Sequence, residues 1–307
     1  MMGISAVINT YNEAKKLPRA LSSLKGFADE IIIVDMMSSD NSREIAKKYK
    51  AKIYKHKKLS IVEPARNFGI EKASNNWILI LDPDEEVSES LKVFLKKEIR
   101  SASGKAPADF YRIPRKNIIF GKWMKHSGWW PDMNVRFFKK GAVSWNEVIH
   151  SVPMTSGKGM DIPLYEDLAI KHRHYSSVEE YITRMNRYTS VQAKDLNKKN
   201  VEFKWRQLLI KPASEFLRRY FAEEGYKDGL HGLTLSLLQA LSELVLYVKL
   251  WQKQKFKIKK IEVESVSGEL KKISNDFVWW VFESKIRSAK NIFSKLWLKL
   301  IRKLKYQ

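Results

Sequence analysis

Cysteine is absent from the 307-residue sequence. This absence excludes disulfide bonds, cysteine-ligated metal sites and thiol nucleophiles, and it suits a reducing compartment. Acidic residues are scarce, with 34 Asp and Glu against 57 Lys and Arg, so the formal net charge is +23. A chain this basic is expected to meet an anionic partner, which is phospholipid, nucleic acid or an acidic substrate.

Familiar nucleotide-binding and targeting patterns are also missing. The start, MMGISAVINTYNE, has no basic segment before an apolar stretch, so we expect no secretory signal. The sequence contains neither G-x-x-x-x-G-K-[ST] nor G-x-G-x-x-G after a strand, which excludes a P-loop and a dinucleotide fingerprint. A nucleotide would have to be held in some other way.

Apolar runs alternate with helical patterns over the first hundred residues. The predicted strands are ISAVIN (4–9), EIIIVD (30–35), AKIYKH (51–56) and WILILD (77–82). This order predicts βαβ units and a parallel sheet covered on both faces, and therefore an α/β fold. Ligands of such sheets bind beyond the carboxyl ends of the strands, where Asn9, Asp35 and Asp82 stand.

The segment WILILDPDEEV (77–87) places carboxylates directly after a buried strand. Because a residue before proline favours extended geometry, Asp82 and Asp84 are expected to face the same way. Two such carboxylates suit a hard divalent cation, Mg²⁺ or Mn²⁺, which can in turn hold a diphosphate. The alternative is that these acids cap the next helix, although Asp82 lies too close to the strand for that role.

Three stretches resemble the nucleotide-sugar-binding half of family 2 glycosyltransferases with the GT-A fold: VINTYNEAKKLPRALSSL, DEIIIVDMMSSDNSREIA and EPARNFGIEKASNNWILILDPDEEV. Further on, PRKNIIFGKWMKHSGWWPDMNVRFFKKG, IHSVP and MNRYTSVQA are similar to bacterial lipopolysaccharide core β-glucosyltransferase-like enzymes. The resemblance implies a GT-A catalytic domain with a Rossmann-like mixed sheet over residues 1–176. A helical, basic, membrane-associating region is expected over residues 177–307.

The resemblance also implies a UDP-sugar site along the carboxyl edge of the sheet. Its implied residues are Thr10, Tyr11, Glu13, Asp35, Ser39, Arg66 and Asp82. Ser39 and the adjacent Asp40 could instead cap the following helix, and Arg66 could be a surface helix residue. Asp82 and Asp84 match the family's DxD element, in which Asp84 would bind the metal and Asp82 the ribose or the metal.

The segment PDMNVRFFKKG resembles the part of the family in which an acid precedes an arginine by four residues and a glycine by nine. Asp132, Arg136 and Gly141 fit this spacing. The resemblance implies that Asp132 is the general base, which takes a proton from the acceptor hydroxyl. Pro131 replaces the usual second acid, and the alternative role for Asp132 is a helix N-cap.

Two histidines are candidates for a further contact with the metal or diphosphate. The resemblance favours His150, after the predicted strand VSWNEVI, over its rival His172 in AIKHRHY. Trp129 and Trp130 are candidates for stacking on sugar rings, with core packing as the alternative.

Two segments of the helical region point to a membrane surface. Residues 230–251 approach a membrane span of roughly 20 residues, but polar residues interrupt them, so we expect a helix that lies in the interface or packs on partner helices. The end of the chain places apolar residues at helical spacing against a basic face, which is typical of a helix resting on anionic lipid. An amphipathic helix packed on its own domain is the alternative.

Together these observations predict an inverting, metal-dependent glycosyltransferase that moves a hexose, expected to be glucose, from UDP to a lipid-linked or cell-envelope glycan. It would be cytoplasmic and peripheral on the inner face of the plasma membrane. A protein or peptide acceptor is the alternative within the same fold. A nucleic-acid-binding protein and a non-catalytic membrane scaffold are the alternatives of other classes, and no RNP-like or helix-turn-helix pattern supports the former, so no nucleic acid is expected.

Overall fold

The computed structural model describes residues 3–59, 63–99, 106–146, 153–257 and 260–305. The chain divides into two compact units, Met1–Ile118 with Trp130–His174, and Ile119–Trp129 with Tyr175–Gln307. The division at Tyr175 lies close to the boundary expected after residue 176. The segment Ile119–Trp129, which we expected in the first domain, belongs to the second unit.

The strands of the described residues run in chain order as follows: β1 Ile4–Thr10, β2 Glu30–Asp35, β3 Lys52–Lys55, β4 Trp77–Leu81, β5 Glu85–Glu86, β6 Phe110–Ile119, β7 Lys122–Trp123, β8 Asp132–Lys139, β9 Val143–Ser144, β10 Met154–Thr155, β11 Gly159–Asp161 and β12 Ile170–Tyr175. The α-helices are α1 Leu17–Ser23, α2 Ser42–Lys48, α3 Glu63–Lys72, α4 Glu89–Ile99, α5 Val178–Lys198, α6 Gln207–Leu217, α7 Leu230–Lys253, α8 Val263–Ser288 and α9 Ile292–Lys305.

The first unit is built on a mixed sheet of order β3-β2-β1-β4-β8-β6-β12-β5. The strands β3, β2, β1 and β4 are parallel, whereas β8 pairs antiparallel with both β4 and β6. The expected α/β class, a mixed sheet followed by a mostly helical region, is confirmed.

The core of this unit lies on both faces of the sheet because successive strand residues point to opposite sides. Ile4, Ala6 and Ile8 of β1 belong to one buried cluster, with side chains of α1 and α4. Val7 belongs to the opposite cluster, with side chains of α3. Strands buried on both faces read as continuous apolar runs, which explains the sequence ISAVIN. The helices thus hold the sheet rigid beneath its polar carboxyl edge.

The second unit is helical, with α7 packed against α5 and α6. Among the described residues, α7 is the helix whose length and composition would allow it to cross a membrane. Two of the polar residues that interrupt it contact α5 instead. Gln239 donates a hydrogen bond to the hydroxyl of Tyr181 (2.9 Å), and Lys249 Nζ donates to the carbonyl oxygen of Asn186 (2.6 Å). These contacts favour the expectation of a helix packed on partner helices.

Candidate active site

The carboxyl ends of β1 and β2 bring the first predicted site residues together. Thr10 and Asp35 are the final residues of these strands and are partners in their parallel register. Both are buried. Thr10 Oγ1, Asp35 Oδ2 and the side-chain amide of Asn9 have no hydrogen-bond partner among the described residues. Buried polar atoms are nearly always paired in proteins, so this edge has hydrogen-bonding capacity left for a ligand.

The loops that follow β1 and β2 are joined by side-chain hydrogen bonds. Asp40 accepts from the backbone N of Ala14 (3.0 Å) and from the hydroxyl of Ser42 (2.6 Å). The backbone N of Ser39 donates to Asn12 Oδ1 (2.8 Å). Asp40 therefore links the two loops, whereas Asn41 is the N-cap of α2. Ser39 is an exposed residue at the rim of the same edge.

Tyr11 and Glu13 lie on the loop after β1 and are half-buried. Lys58 Nζ donates to the Tyr11 hydroxyl (2.8 Å) and lies 4.1 Å from the centre of its ring. The backbone N of Glu13 donates to the hydroxyl of Ser42 (3.0 Å). These contacts fix the loop where the first strand ends, next to Thr10.

Asp82, which follows β4, is held by two arginines. Arg66 of α3 donates to Asp82 Oδ1 (2.9 Å), and Arg136 of β8 donates to Oδ2 (2.7 Å). Burial by itself would raise the pKa of Asp82, but the charges of Arg136 and Arg66 outweigh it and hold the pKa well below the usual range. Arg66 therefore lies beside Asp82 with a side chain only 14% exposed, and it is not a surface helix residue.

The same cluster contains a buried acid that the sequence analysis did not single out for the site. Glu85 of β5 accepts from Arg136 (2.6 Å) and, at 3.3 Å, from Arg115 of β6. Its Oε2 also accepts from the backbone N of Asp82 (2.9 Å). Burial tends to lower the pKa of Arg136, but the charges of Asp82 and Glu85 raise it, so the guanidinium stays charged.

Asp82 and Asp84 do not continue a straight extended segment, contrary to our expectation. Pro83 and Asp84 form a turn, in which the backbone N of Glu85 donates to the carbonyl oxygen of Asp82 (3.0 Å). Proline is favoured at the second position of such a turn because its φ is already suitable. The two carboxylates therefore meet different partners, arginines for Asp82 and a histidine for Asp84.

That histidine is His172 of β12. Its Nε2 lies 3.6 Å from Asp84 Oδ1, with the two side chains 5% and 10% exposed. The antiparallel pairing of β12 with β5 sets His172 opposite Glu85, one residue beyond Asp84, which explains the proximity. His150, which the resemblance favoured, lies outside the described residues. The geometry of the described residues therefore makes His172 the histidine beside Asp84.

Asp132 begins strand β8 and so is not a helix N-cap, the alternative considered above. Arg115, its partner in the register with β6, donates from Nε to Asp132 Oδ2 (2.8 Å). Asn117 donates to the same oxygen (3.0 Å) and Asn134 to Oδ1 (2.8 Å). Burial would raise the pKa of Asp132, but the Arg115 charge and these hydrogen bonds lower it, so Asp132 is a carboxylate at neutral pH.

Asn117 connects Asp132 to His172. His172 Nδ1 lies 2.6 Å from Asn117 Oδ1. Because an ionised carboxylate only accepts hydrogen bonds, the Asn117 amide nitrogen must face Asp132 and its oxygen must face His172. In the neutral imidazole the hydrogen is then on Nδ1, which leaves the lone pair of Nε2 towards Asp84. The sequence offered one signal of this link, since Arg115 and Asn117 are two residues apart on one face of a strand.

Trp129 packs in the helical unit, where it contacts a cluster of buried side chains that includes Tyr181 and Leu235. The Arg219 guanidinium lies 5.3 Å from its ring. Trp129 thus has the packing role that was the alternative to sugar stacking. Trp130 is half-buried and belongs to the first unit.

The donor groups fit a divalent cation that also binds a substrate phosphate. Within the described ranges, His, Asp and Glu do not form a group of three or more that could hold a metal alone. Asp84 and His172 supply one carboxylate oxygen and one imidazole nitrogen, side by side and largely buried. Mg²⁺ is commonly bound by one or two protein carboxylates together with phosphates and water, so two protein ligands are sufficient.

An α/β sheet with acids and arginines beyond the carboxyl ends of its parallel strands has the arrangement typical of the nucleotide-binding class. Comparison with known proteins narrows the class. The family model described as "Glycosyl transferase family 2" matches residues 5–156. The glycosyltransferase RT0209 of Rickettsia typhi is 30% identical over 262 residues, which cover 81% of this chain and 87% of the relative. The chain belongs to glycosyltransferase family 2.

Two other similarities are more distant. The lipopolysaccharide core biosynthesis glycosyltransferase LpsC of Rhizobium meliloti is 23% identical over 262 residues, covering 83% of this chain and 94% of the relative. The crystal structure of S. aureus TarS in complex with UDP aligns with a TM-score of 0.45 at 14% identity, covering 85% of this chain and 94% of that one.

Proposed function

We propose that this glycosyltransferase is an inverting, metal-dependent enzyme that moves a hexose, glucose in the first instance, from UDP to a lipid-linked or cell-envelope glycan. The observation that carries the proposal is the hydrogen-bonded link in which Asn117 joins Asp132 to His172, beside Asp84. One short network thus contains a carboxylate suited to proton transfer and a pair of groups suited to a cation.

The donor would bind along the edge formed by the ends of β1, β2 and β4. Thr10, Tyr11 and Glu13 would line the uridine pocket, and Asp35, whose Oδ2 makes no hydrogen bond and lies 3.7 Å from Arg43 Nε, would accept a hydrogen bond from the base or ribose. Ser39 would lie at the rim. Arg66, already beside Asp82, is placed to exchange part of that contact for a phosphate oxygen, because guanidinium matches phosphate geometry.

Asp84 and His172 would hold Mg²⁺ or Mn²⁺. When bound, the cation would supply neutralisation of the charge that develops on the departing diphosphate. Asp82 is the weaker candidate for a metal ligand, since each of its carboxylate oxygens accepts from an arginine. Its proposed role is to position Arg66 and Arg136 and to contact the ribose.

Asp132 would be the general base. In the proposed step the acceptor hydroxyl oxygen forms a bond to C1 of the sugar, the bond from C1 to the diphosphate oxygen breaks, and the hydroxyl proton passes to Asp132. UDP leaves with the electron pair of the broken bond, and attack from the opposite side inverts C1. Arg115 and the two asparagines keep Asp132 ionised and fix its orientation before the acceptor arrives.

The proposed acceptor rests on similarity to a relative. Similarity to LpsC over 83% of this chain supports a lipopolysaccharide core or related glycan acceptor. A peptide acceptor remains the second candidate on the same chemistry, and screening glycolipid and peptide acceptors side by side separates the two.

The proposal is tested with Asp84→Asn and Asp132→Asn. Asp84→Asn is expected to lose metal-dependent binding of UDP, measured by calorimetry with Mn²⁺. Asp132→Asn is expected to keep that binding and to lose transfer by about 10²- to 10⁴-fold, the usual contribution of a general base. Asp161→Asn is the matched control, because this carboxylate of β11 is half-exposed and pairs with Arg112 of β6. Full transfer by Asp132→Asn, or metal-independent UDP binding by the parent protein, would contradict the proposal.

A further inference from the structure

The last helix, α9, packs with one face against α8. Arg302 donates to Glu283 of α8 (2.5 Å), and its guanidinium lies 5.1 Å from the ring centre of Trp279. The side chain of Arg302 is 22% exposed. These contacts mean that α9 uses a polar residue to attach itself to its neighbouring helix.

The apolar face of α9 is turned to solvent. Five apolar side chains at spacings of three and four residues are from 51% to 81% exposed: Phe293, Leu296, Trp297, Leu300 and Leu304. We call these five residues the α9 stripe. A helix packed on its own domain buries such a stripe, since each large apolar side chain gains roughly 1.5–3 kcal/mol on burial. The packing of α9 on α8 therefore leaves the α9 stripe uncovered by the described residues.

Positive charge flanks the α9 stripe. Lys295, Lys299 and Lys303 stand four residues apart along one side of the helix, and no acidic residue occurs within Ile292–Lys305. Apolar side chains bordered by lysines, with no acid between them, match a bilayer surface in which acyl chains lie beneath anionic headgroups.

We propose that the α9 stripe docks on the surface of an anionic lipid bilayer, with α9 lying in the headgroup region and the three lysines contacting lipid phosphates. This deepens and rests on the proposed function, because a surface-bound enzyme meets a lipid-linked acceptor in the plane of the membrane. The bilayer itself is the partner, so docking is measurable without any sugar transfer.

A second copy of the chain fits the stripe less well. Each copy carries a formal net charge of +23 and would bring the same lysines to the contact. A helix of 14 residues is about 21 Å long, and its single face is too small for the roughly 800 Å² per partner of a stable dimer. Charge and area therefore both favour lipid.

The cysteine-free sequence allows a direct test by site-specific labelling. In Leu300→Cys, an environment-sensitive fluorophore is attached to the new cysteine within the α9 stripe. In Lys47→Cys, the same label is attached at an exposed position of α2 in the first unit. Vesicles contain 30% phosphatidylglycerol in phosphatidylcholine, or phosphatidylcholine alone. We expect a blue shift and a several-fold rise in emission at position 300 on the anionic vesicles, and neither change at position 47.

Variants of the full chain test the two parts of the surface separately. Two variants are each expected to lower binding to anionic vesicles at least ten-fold in flotation. The double variant combines Phe293→Ser and Trp297→Ser, and the triple variant combines Lys295→Gln, Lys299→Gln and Lys303→Gln. Val93→Ser is the matched control, because Val93 is 68% exposed on α4. Retained UDP binding shows that each variant is folded and separates this test from that of the proposed function.

Two outcomes would overturn the docking proposal. In the first, the emission of the label at position 300 does not change on anionic vesicles, or the double serine variant and the triple glutamine variant both float as the parent does. In the second, the label shifts in buffer as protein concentration rises, and sedimentation shows a dimer that the Phe293→Ser and Trp297→Ser changes dissociate. The second outcome would assign the α9 stripe to another copy of the chain.

Discussion

The Asn117 side chain has one hydrogen-bond donor group and one acceptor group, and each contacts a candidate active-site residue. Its nitrogen donates to Asp132 and its oxygen accepts from His172. A leucine of similar size would make neither bond. The residue is a positioning group in this network, because it would act through the imidazole and the carboxylate and not on the sugar.

In Asn117→Leu, His172 is expected to lose its preference for one tautomer, because the acceptor that keeps the hydrogen on Nδ1 is lost. Nitrogen-15 NMR of the imidazole, assigned with His172→Gln, should change from an Nδ1–H pattern to a mixture of tautomers. The affinity for Mn²⁺ with UDP should fall about 10- to 100-fold, as for other residues that orient a metal ligand.

Asn117→Asp is the informative companion, because an aspartate still accepts from His172 but cannot donate to Asp132. We expect it to keep the Nδ1–H pattern while impairing transfer. An unchanged tautomer in Asn117→Leu would show that the amide does not orient the histidine.

At the scale of elements, Glu30 ties the amino-terminal ends of neighbouring strands together. Its carboxylate accepts from Ser5 of β1 (2.5 Å), Lys52 of β3 (2.6 Å) and the backbone N of Ser74 (2.9 Å). Burial opposes ionisation, but these hydrogen bonds prevail and lower the pKa of Glu30 to about 2. The pair with Lys52 is partly screened, because the lysine side chain is 58% exposed.

The lowered pKa predicts a loss of stability in acid. The stabilisation by Glu30 is complete above its unfolded pKa of 4.5 and is lost as the pH falls from there towards about 2. Glu30→Gln should therefore lower the free energy of unfolding at pH 7 by about 1–3 kcal/mol and flatten its decline between pH 5 and pH 2. Urea unfolding at several pH values measures both effects. Glu44→Gln, an exposed carboxylate on α2, should change neither, and parallel pH curves for Glu30→Gln and the parent would refute the assignment.

The elements also show how far sequence carries a structural prediction. The strands β1, β2 and β4 were predictable because they are buried on both faces. The polar residues at or just after their ends, Thr10, Asp35 and Asp82, lie along the edge where the candidate site was predicted. The arginines around Asp82 were not predictable, because Arg66 and Arg136 are brought there by α3 and β8 from distant parts of the chain. The turn at Pro83 was missed because pre-proline geometry constrains Asp82 but leaves Asp84 undetermined.

Histidine assignment illustrates the same limit. His172 reaches Asp84 through an antiparallel pairing of β12 with β5, and the two-residue strand β5 has no periodic pattern that could announce it. The proposed membrane docking of α9, in contrast, was suggested by spacing and charge in the sequence, and the structure adds which face of the helix is exposed.

For the whole molecule, the net charge of +23 predicts that the proposed membrane docking is sensitive to salt. The Debye length falls from about 10 Å at 0.1 M to about 3 Å at 1 M ionic strength, so lysine–phosphate attraction weakens over that range. Co-sedimentation with anionic vesicles should therefore decrease steadily with added NaCl while a residual part, from the α9 stripe, persists. The Lys295→Gln, Lys299→Gln and Lys303→Gln variant should show a shallower dependence. Binding that is indifferent to salt would mean that apolar contact alone holds the protein.

The buried side-chain polar atoms of Asn9 and Thr10, which make no hydrogen bond to the described residues, have a consequence for the protein without a bound nucleotide. Each such atom weakens the folded state by a part of its lost hydration, on the order of 1–3 kcal/mol. A bound uridine would supply the missing hydrogen bonds. In the protein without donor, the ends of β1 and β2 should therefore be the first part of the sheet to unfold on heating. The nucleotide would then stabilise the local fold as well as serve as a substrate. Its release after each turnover would return this edge of the sheet to its least stable state.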